Sequence, residues 1–215
     1  MDERPFCHLS AQGCDVLMLF DYREIAPAPD IFELAGAYAE VFLVAWSMGV
    51  WAGQRIFSGV ADMLTAALAV NGTLCPIDDR FGIPVEIING TLRNFSEESL
   101  AKLYRRMCRD KKSCQAFHEN LPLRSLQNQK EELEALLAQC DCQTADASIY
   151  SAILVSDRDL IMPTAHQLSF WNSCTIRRLP GCHFPFHLWS SWDRFLCEAM
   201  QRSVEPPCGI DEGNL

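Results

Sequence analysis

Five short apolar runs limit what this chain can fold into: DVLMLFD (15–21), VFLVAW (41–46), TAALAVNGT (65–73), SAILVSD (151–157) and CTIRRLP (174–180). Each is the length of a strand. Most are apolar at consecutive positions rather than alternate ones, the mark of a strand covered on both faces. The third run is stopped by Asn71-Gly72. Between the runs lie helical patterns. DIFELAGAYAE places Ile31, Leu34 and Ala35 at helical spacing behind Asp30, a residue type suited to an N-cap. GVWAGQRIFSGVADML follows the second strand with small residues on one side. Buried strands alternating with helices predict an α/β protein with a mostly parallel sheet and helices on both faces.

Residues 96–142 break the alternation. SEESLAKLYRRMCRD opens on Ser96 with Glu97 and Glu98 in the first turn, which suits a helix N-terminus. QKEELEALLAQC is a second helical stretch, with no strand between the two. This reads as a helical insertion between strands, of the kind that forms lids. The expected organisation is a core over 1–95, a helical lid over 96–145, the rest of the core over 146–203 and a tail over 204–215.

The net charge of −10 excludes general nucleic-acid binding, which needs a basic surface. Residues 1–14 carry no apolar leader, and the apolar run at 41–53 is shorter than the ~20 residues of a membrane span. The expectation is a cytoplasmic protein with no membrane contact. In that setting the 11 cysteines read as free buried thiols rather than a disulfide framework. Cys140-Asp141-Cys142 has no second Cys or His pair at metal-ligand spacing, so no metal site is expected.

The strand at 41–46 runs into Ala45-Trp46-Ser47-Met48-Gly49 and then into a helix. A strand, x-x-Ser-x-Gly and a helix is the layout that exposes a serine nucleophile on a strained turn. Such a turn needs small flanking residues, and Gly49 and Ala45 supply them. A serine nucleophile also needs a base, and the base an acid that orients it. Asp157 and Asp159 follow the next-to-last strand, and His183 follows the last, after Pro180-Gly181-Cys182. The chain order serine, acid, histidine and the positions at strand carboxyl ends both suit that chemistry. Asp159 lies four residues before Pro163, and Asp157 is the alternative acid. His187 is a less well placed base, as are His8, His118 and His166.

VLMLFDYRE, AWSMGVWA, AVNGTLCPIDDRFGIP, RDLIMP and GCHFPF resemble the BioG-type pimeloyl-[acyl-carrier protein] methyl ester esterases of biotin synthesis, over about residues 1–200. The resemblance implies an α/β-hydrolase fold with a helical lid. It implies release of methanol and pimeloyl-[acyl-carrier protein] from the methyl ester, with no cofactor. Carried over, Ser47 is the nucleophile, His183 the base, Asp159 the acid and the Met48 N–H an oxyanion donor. Relatives of this type carry an apolar strand and a Gly-Trp-Gly-like segment ahead of the matching stretch, so that strand and its oxyanion donor are expected to be missing here. Trp46, Phe184 and Phe186 flank the site residues and are candidates for contact with the acyl chain. Arg105, Arg106, Arg109, Lys111 and Lys112, with Arg124 nearby, form a basic group in an acidic chain and are candidates for docking an acidic carrier protein. Two alternatives share these residues: a general short-acyl carboxylesterase or thioesterase, and a catalytically impaired binding protein of the same fold.

Overall fold

The structure, a computed structural model, describes residues 1–25, 29–108, 115 and 117–201. Its sheet has four strands: β1 (Phe42–Trp46), β2 (Ala66–Val70), β3 (Ala152–Ser156) and β4 (Ile176–Leu179). They stand side by side in chain order and are all parallel. Every residue of β2 is buried. Alternation along the strands separates two cores. Leu68, Val70 and Leu154 face one, and Ala67, Ala69, Ile153 and Val155 face the other.

Helices close both faces. The first core takes side chains from α3 (Val85–Arg93), α4 (Glu97–Cys108) and α7 (Trp192–Met200). The second takes Val50 from α2 (Gly49–Phe57) and Phe170 from α6 (Thr164–Phe170). The chain also forms α1 (Pro29–Ala35) and α5 (Leu126–Gln139). The predicted α/β class and four of the five predicted strands are present. Helix α4 opens as expected at Ser96, where Ser96 and Ser99 exchange backbone-to-hydroxyl hydrogen bonds of 2.9 and 3.2 Å.

Several expectations fail, each for a tertiary reason. Residues 15–21 form no strand, and Val16, Leu17 and Phe20 are exposed. An apolar run becomes a strand only with a neighbour to bond, and β1 pairs with β2 alone among the described residues. Asp30 lies inside the first turn of α1 rather than capping it. Helix α3 was not among the expected elements; it turns Ile88 into the core.

The cysteines are also not all thiols. Cys75 and Cys142 form a disulfide, while Cys108 and Cys182 are buried thiols, Cys182 Sγ donating to Cys108 O at 3.1 Å. The chain leaving α5 returns beside the loop after β2, where Gln143 N–H donates to Leu74 O at 3.0 Å, and this brings the two sulfurs together. Cys140, two residues away, stays free, and burial pushes its thiol up to about 12.

The bridge closes a sequence separation of 67 residues, so under oxidising conditions it is expected to stabilise the fold by about 2–4 kcal/mol. Urea unfolding of Cys142→Ser beside the parent checks this. The parent alone should lose stability on adding a reductant, after which the two curves should coincide.

Candidate active site

Ser47 follows β1 directly and sits at φ 57°, the left-handed region that non-glycine residues seldom occupy. Its N–H donates to Val70 O at 2.9 Å, and its carbonyl accepts from Val50 N–H at 3.1 Å. The turn is therefore fastened to β2 behind it and to α2 in front. The next strand makes room. A Cβ on Gly72 would collide with the Ser47 carbonyl oxygen and the Val50 side chain. The Met48 N–H, at the N-terminal end of α2, makes no hydrogen bond among the described residues, so it is available to a developing negative charge beside Ser47.

His183 lies between Ser47 and Asp159. Its Nε2 is 2.8 Å from Ser47 Oγ, and its Nδ1 is 2.7 Å from Asp159 Oδ2. The histidine is fully buried, Asp159 is 5% exposed and Ser47 is half-buried. Asp159 Oδ1 accepts the N–H groups of Ile161 at 2.8 Å and Met162 at 3.0 Å. This explains the D-x-x-x-P spacing: the carboxylate caps a tight turn, and Pro163 then opens α6. Asp157 points elsewhere, paired at 2.5 Å with Arg178 in the open.

The backbone of His183 is held from two other strands. Its carbonyl accepts Trp46 Nε1–H at 2.8 Å and Asn71 Nδ2–H at 2.9 Å. Asn71 is completely buried and also bonds Ser156 through both ends of its amide. In the sequence, Asn71 reads only as a residue that stops a strand. Its partners are distant in sequence, so the run Ala-Val-Asn-Gly carries no local signal of this second role.

The remaining candidates divide. Trp46 packs its ring 5.2 Å from the His183 imidazole, so it supports that ring as well as flanking the serine. Phe184 and Phe186 are core residues, 3% and 1% exposed, packed with Phe6 rather than lining an open pocket. Arg105 and Arg106 are exposed on α4, and Arg109, Lys111 and Lys112 lie outside the described residues. Arg124 is not a surface cation. Its side chain is 6% exposed and bonded to Glu132 at 2.5 Å and Asn128 at 2.6 Å, because the buried Glu132 requires a counter-charge. His8, His166 and His187 bond backbone carbonyls. Among the described residues no three His, Cys, Asp or Glu side chains gather as metal ligands, and no helix is long and apolar enough to cross a membrane.

A parallel sheet covered on both faces, with a serine, a histidine and an aspartate meeting beyond its strand ends, defines the α/β-hydrolase class. A thermophilic esterase from Thermogutta terrifontis shares that fold, with a TM-score of 0.55 at 15% identity over 80% of this chain and 66% of that one. Within the class, the chain belongs to the family described as "Pimeloyl-ACP methyl esterase BioG", whose model matches residues 7–195. The crystal structure of BioG from Haemophilus influenzae superposes with a TM-score of 0.80 at 36% identity, covering 90% of this chain and 88% of that one. A malonyl-[acyl-carrier protein] O-methyltransferase of Bacteroides fragilis (strain 638R) is 36% identical over 188 residues, or 86% of this chain. This chain spans 37% of that relative's length.

The geometry makes Asp159 rather than Asp157 the partner of the imidazole. In Asp159→Asn the new amide can donate to Nδ1, which would turn the ring to the tautomer unable to accept the serine proton. Fluorophosphonate labelling of Ser47 should fall by about 10⁴-fold, as such a swap does in serine hydrolases. Asp157→Asn should label at the parent rate. The reverse ranking would exchange their roles.

Proposed function

We propose that this chain is a serine esterase that hydrolyses the methyl ester of pimeloyl-[acyl-carrier protein], giving pimeloyl-[acyl-carrier protein] and methanol in biotin synthesis. The observation that carries this reading is the unbroken relay from Ser47 Oγ through His183 to Asp159 in a chain of the BioG family.

Ser47 Oγ attacks the ester carbonyl while His183 Nε2 takes its proton. The imidazolium that forms is stabilised by Asp159, which stays ionised. The oxyanion of the tetrahedral intermediate is met by the Met48 N–H at the start of α2. On collapse, His183 returns the proton to the departing methoxide, and methanol leaves. Water then enters and attacks the acyl-serine carbonyl as His183 takes its proton; His183 passes that proton to the departing Ser47 Oγ, and the free acid is released. Trp46 is the aromatic wall nearest the serine, and Phe184 backs it at 5.4 Å between ring centroids.

The helical segment 96–145 acts as the lid. It reaches the site directly, since Phe184 N–H donates to Met107 O at 3.1 Å. Arg105 and Arg106 supply local positive charge on an acidic protein and steer the acidic carrier protein to this face.

Methanol release from pimeloyl-[acyl-carrier protein] methyl ester tests the reading. The chain should release methanol, and Ser47→Ala should release none above background. Hydrolysis of free short esters without the carrier-linked one would favour a general carboxylesterase. In the Arg105→Glu, Arg106→Glu double variant, KM for the carrier-linked ester should rise at least tenfold at low salt, while kcat on a small free ester stays unchanged. An unchanged KM removes these two arginines from docking.

A further inference from the structure

We infer that Gln167 is a positioning residue for this site, acting through Asp159. The inference rests on the esterase reading above and adds a residue to it. Gln167 lies on α6 and is completely buried. Its Nε2 donates to Asp159 Oδ2 at 2.9 Å and to Met162 O at 2.7 Å. Both neighbours only accept, so the amide has one possible orientation; the reverse would set oxygen against oxygen twice. Its Oε1 takes no hydrogen bond among the described residues. A buried unsatisfied oxygen is unfavourable, and an apolar side chain of the same length would fill the space without it. Packing alone therefore does not account for an amide here, whereas the carboxylate it touches does.

The carboxylate of Asp159 has about four acceptor positions, and four donors meet it. The N–H groups of Ile161 and Met162 bind Oδ1, while His183 and Gln167 bind Oδ2. Without Gln167 the imidazole would be the sole donor on its oxygen, and the carboxylate would be anchored at one end only. The amide fixes the plane of the carboxylate, and through it the angle at which Nδ1–H is held and Nε2 is aimed at Ser47. The other ionisable groups on these elements lie aside. Arg158 is exposed, Asp157 pairs with Arg178, and His166 bonds Gly82 O.

Two substitutions test this. Gln167→Met keeps length and removes the donor. It should fold, keep KM and lower kcat about tenfold, the scale of one charge-assisted hydrogen bond. Gln167→Glu keeps shape and makes the donor depend on a proton. Two adjoining carboxyls cannot both ionise easily, so one retains its proton to higher pH than usual. While protonated, the new carboxyl can donate to Asp159 as the amide does; once ionised it cannot. Its kcat should therefore fall as pH rises through the neutral range, a descending limb that neither the parent nor Gln167→Met shows. Parental kcat in Gln167→Met overturns the inference. If that variant does not fold, a Gln167→Glu profile matching the parent overturns it. Fluorophosphonate labelling of Ser47 in the parent separates the two readings. No labelling removes the esterase reading and this inference together. Labelling with parental kcat in Gln167→Met removes the inference alone.

Discussion

The carbonyl oxygen of His183 is the point on which the site depends. Both ring nitrogens of this histidine are engaged, so its position has to be set through its backbone. Trp46, at the end of β1, and Asn71, just past the end of β2, each donate to that one oxygen. The parallel register makes this possible: Trp46 stands opposite Val70, which leaves Ser47 and Asn71 side by side beyond the sheet. Asn71 then crosses to β3, accepting Ser156 N–H at 2.7 Å. A single buried amide thus ties the end of β2 to β3, the strand that leads to Asp159, and to the loop that carries His183, while Trp46 ties that loop to β1. Orphaning such a group inside the protein would cost about 1–3 kcal/mol, so the sheet end is held as one unit.

The strained turn at Ser47 follows from the same packing. A left-handed serine costs on the order of 1–3 kcal/mol and persists only where its surroundings over-determine it. Val70 O fixes its N–H, Val50 N–H fixes its carbonyl, and Gly72 lets β2 approach where a methyl group would not fit. Trp171 completes the arrangement by donating to Gly72 O at 2.9 Å from the far core. The Asn-Gly pair that stops β2 therefore has two separate tasks: Asn71 holds the His183 backbone, and Gly72 makes space for the turn at Ser47.

What could be read from the sequence divides along the same line. Strands β1 to β3 were legible as runs of consecutive apolar residues, which is a local property, whereas the edge strand β4 carries Arg177 and Arg178 and is apolar only at its ends. The order Ser47, Asp159, His183 was legible because parallel strands all deliver their carboxyl ends to one edge. The choice of Asp159 over Asp157 was legible through Pro163, since the turn that the proline starts is the one the carboxylate caps. Features that depend on partners distant in sequence were not legible. The run at 15–21 has strand composition and no ladder. Arg124 looks like a surface cation until Glu132 is seen beside it. Cys75 and Cys142 are ordinary thiols until the chain returns from α5. Gln167 sits in an unremarked helical stretch, and its proximity to Asp159 arises only when the turn at 159–163 folds α6 back over the carboxylate.

Helix α4 is bound into the same system. The loop that positions His183 continues into Phe184, whose N–H is fastened to Met107 at the end of α4. Phe184 also packs its ring against Phe117, 5.2 Å away, and against Trp46. The end of α4 is therefore bonded to the residue next to His183, and Phe117 beyond it packs on that same residue. On the return side, the Cys75–Cys142 bridge and the bond from Gln143 to Leu74 tie the chain after α5 to the loop that begins with Asn71. Met107 at the end of α4 thus reaches the residue next to His183, and the chain after α5 reaches the loop that follows Asn71.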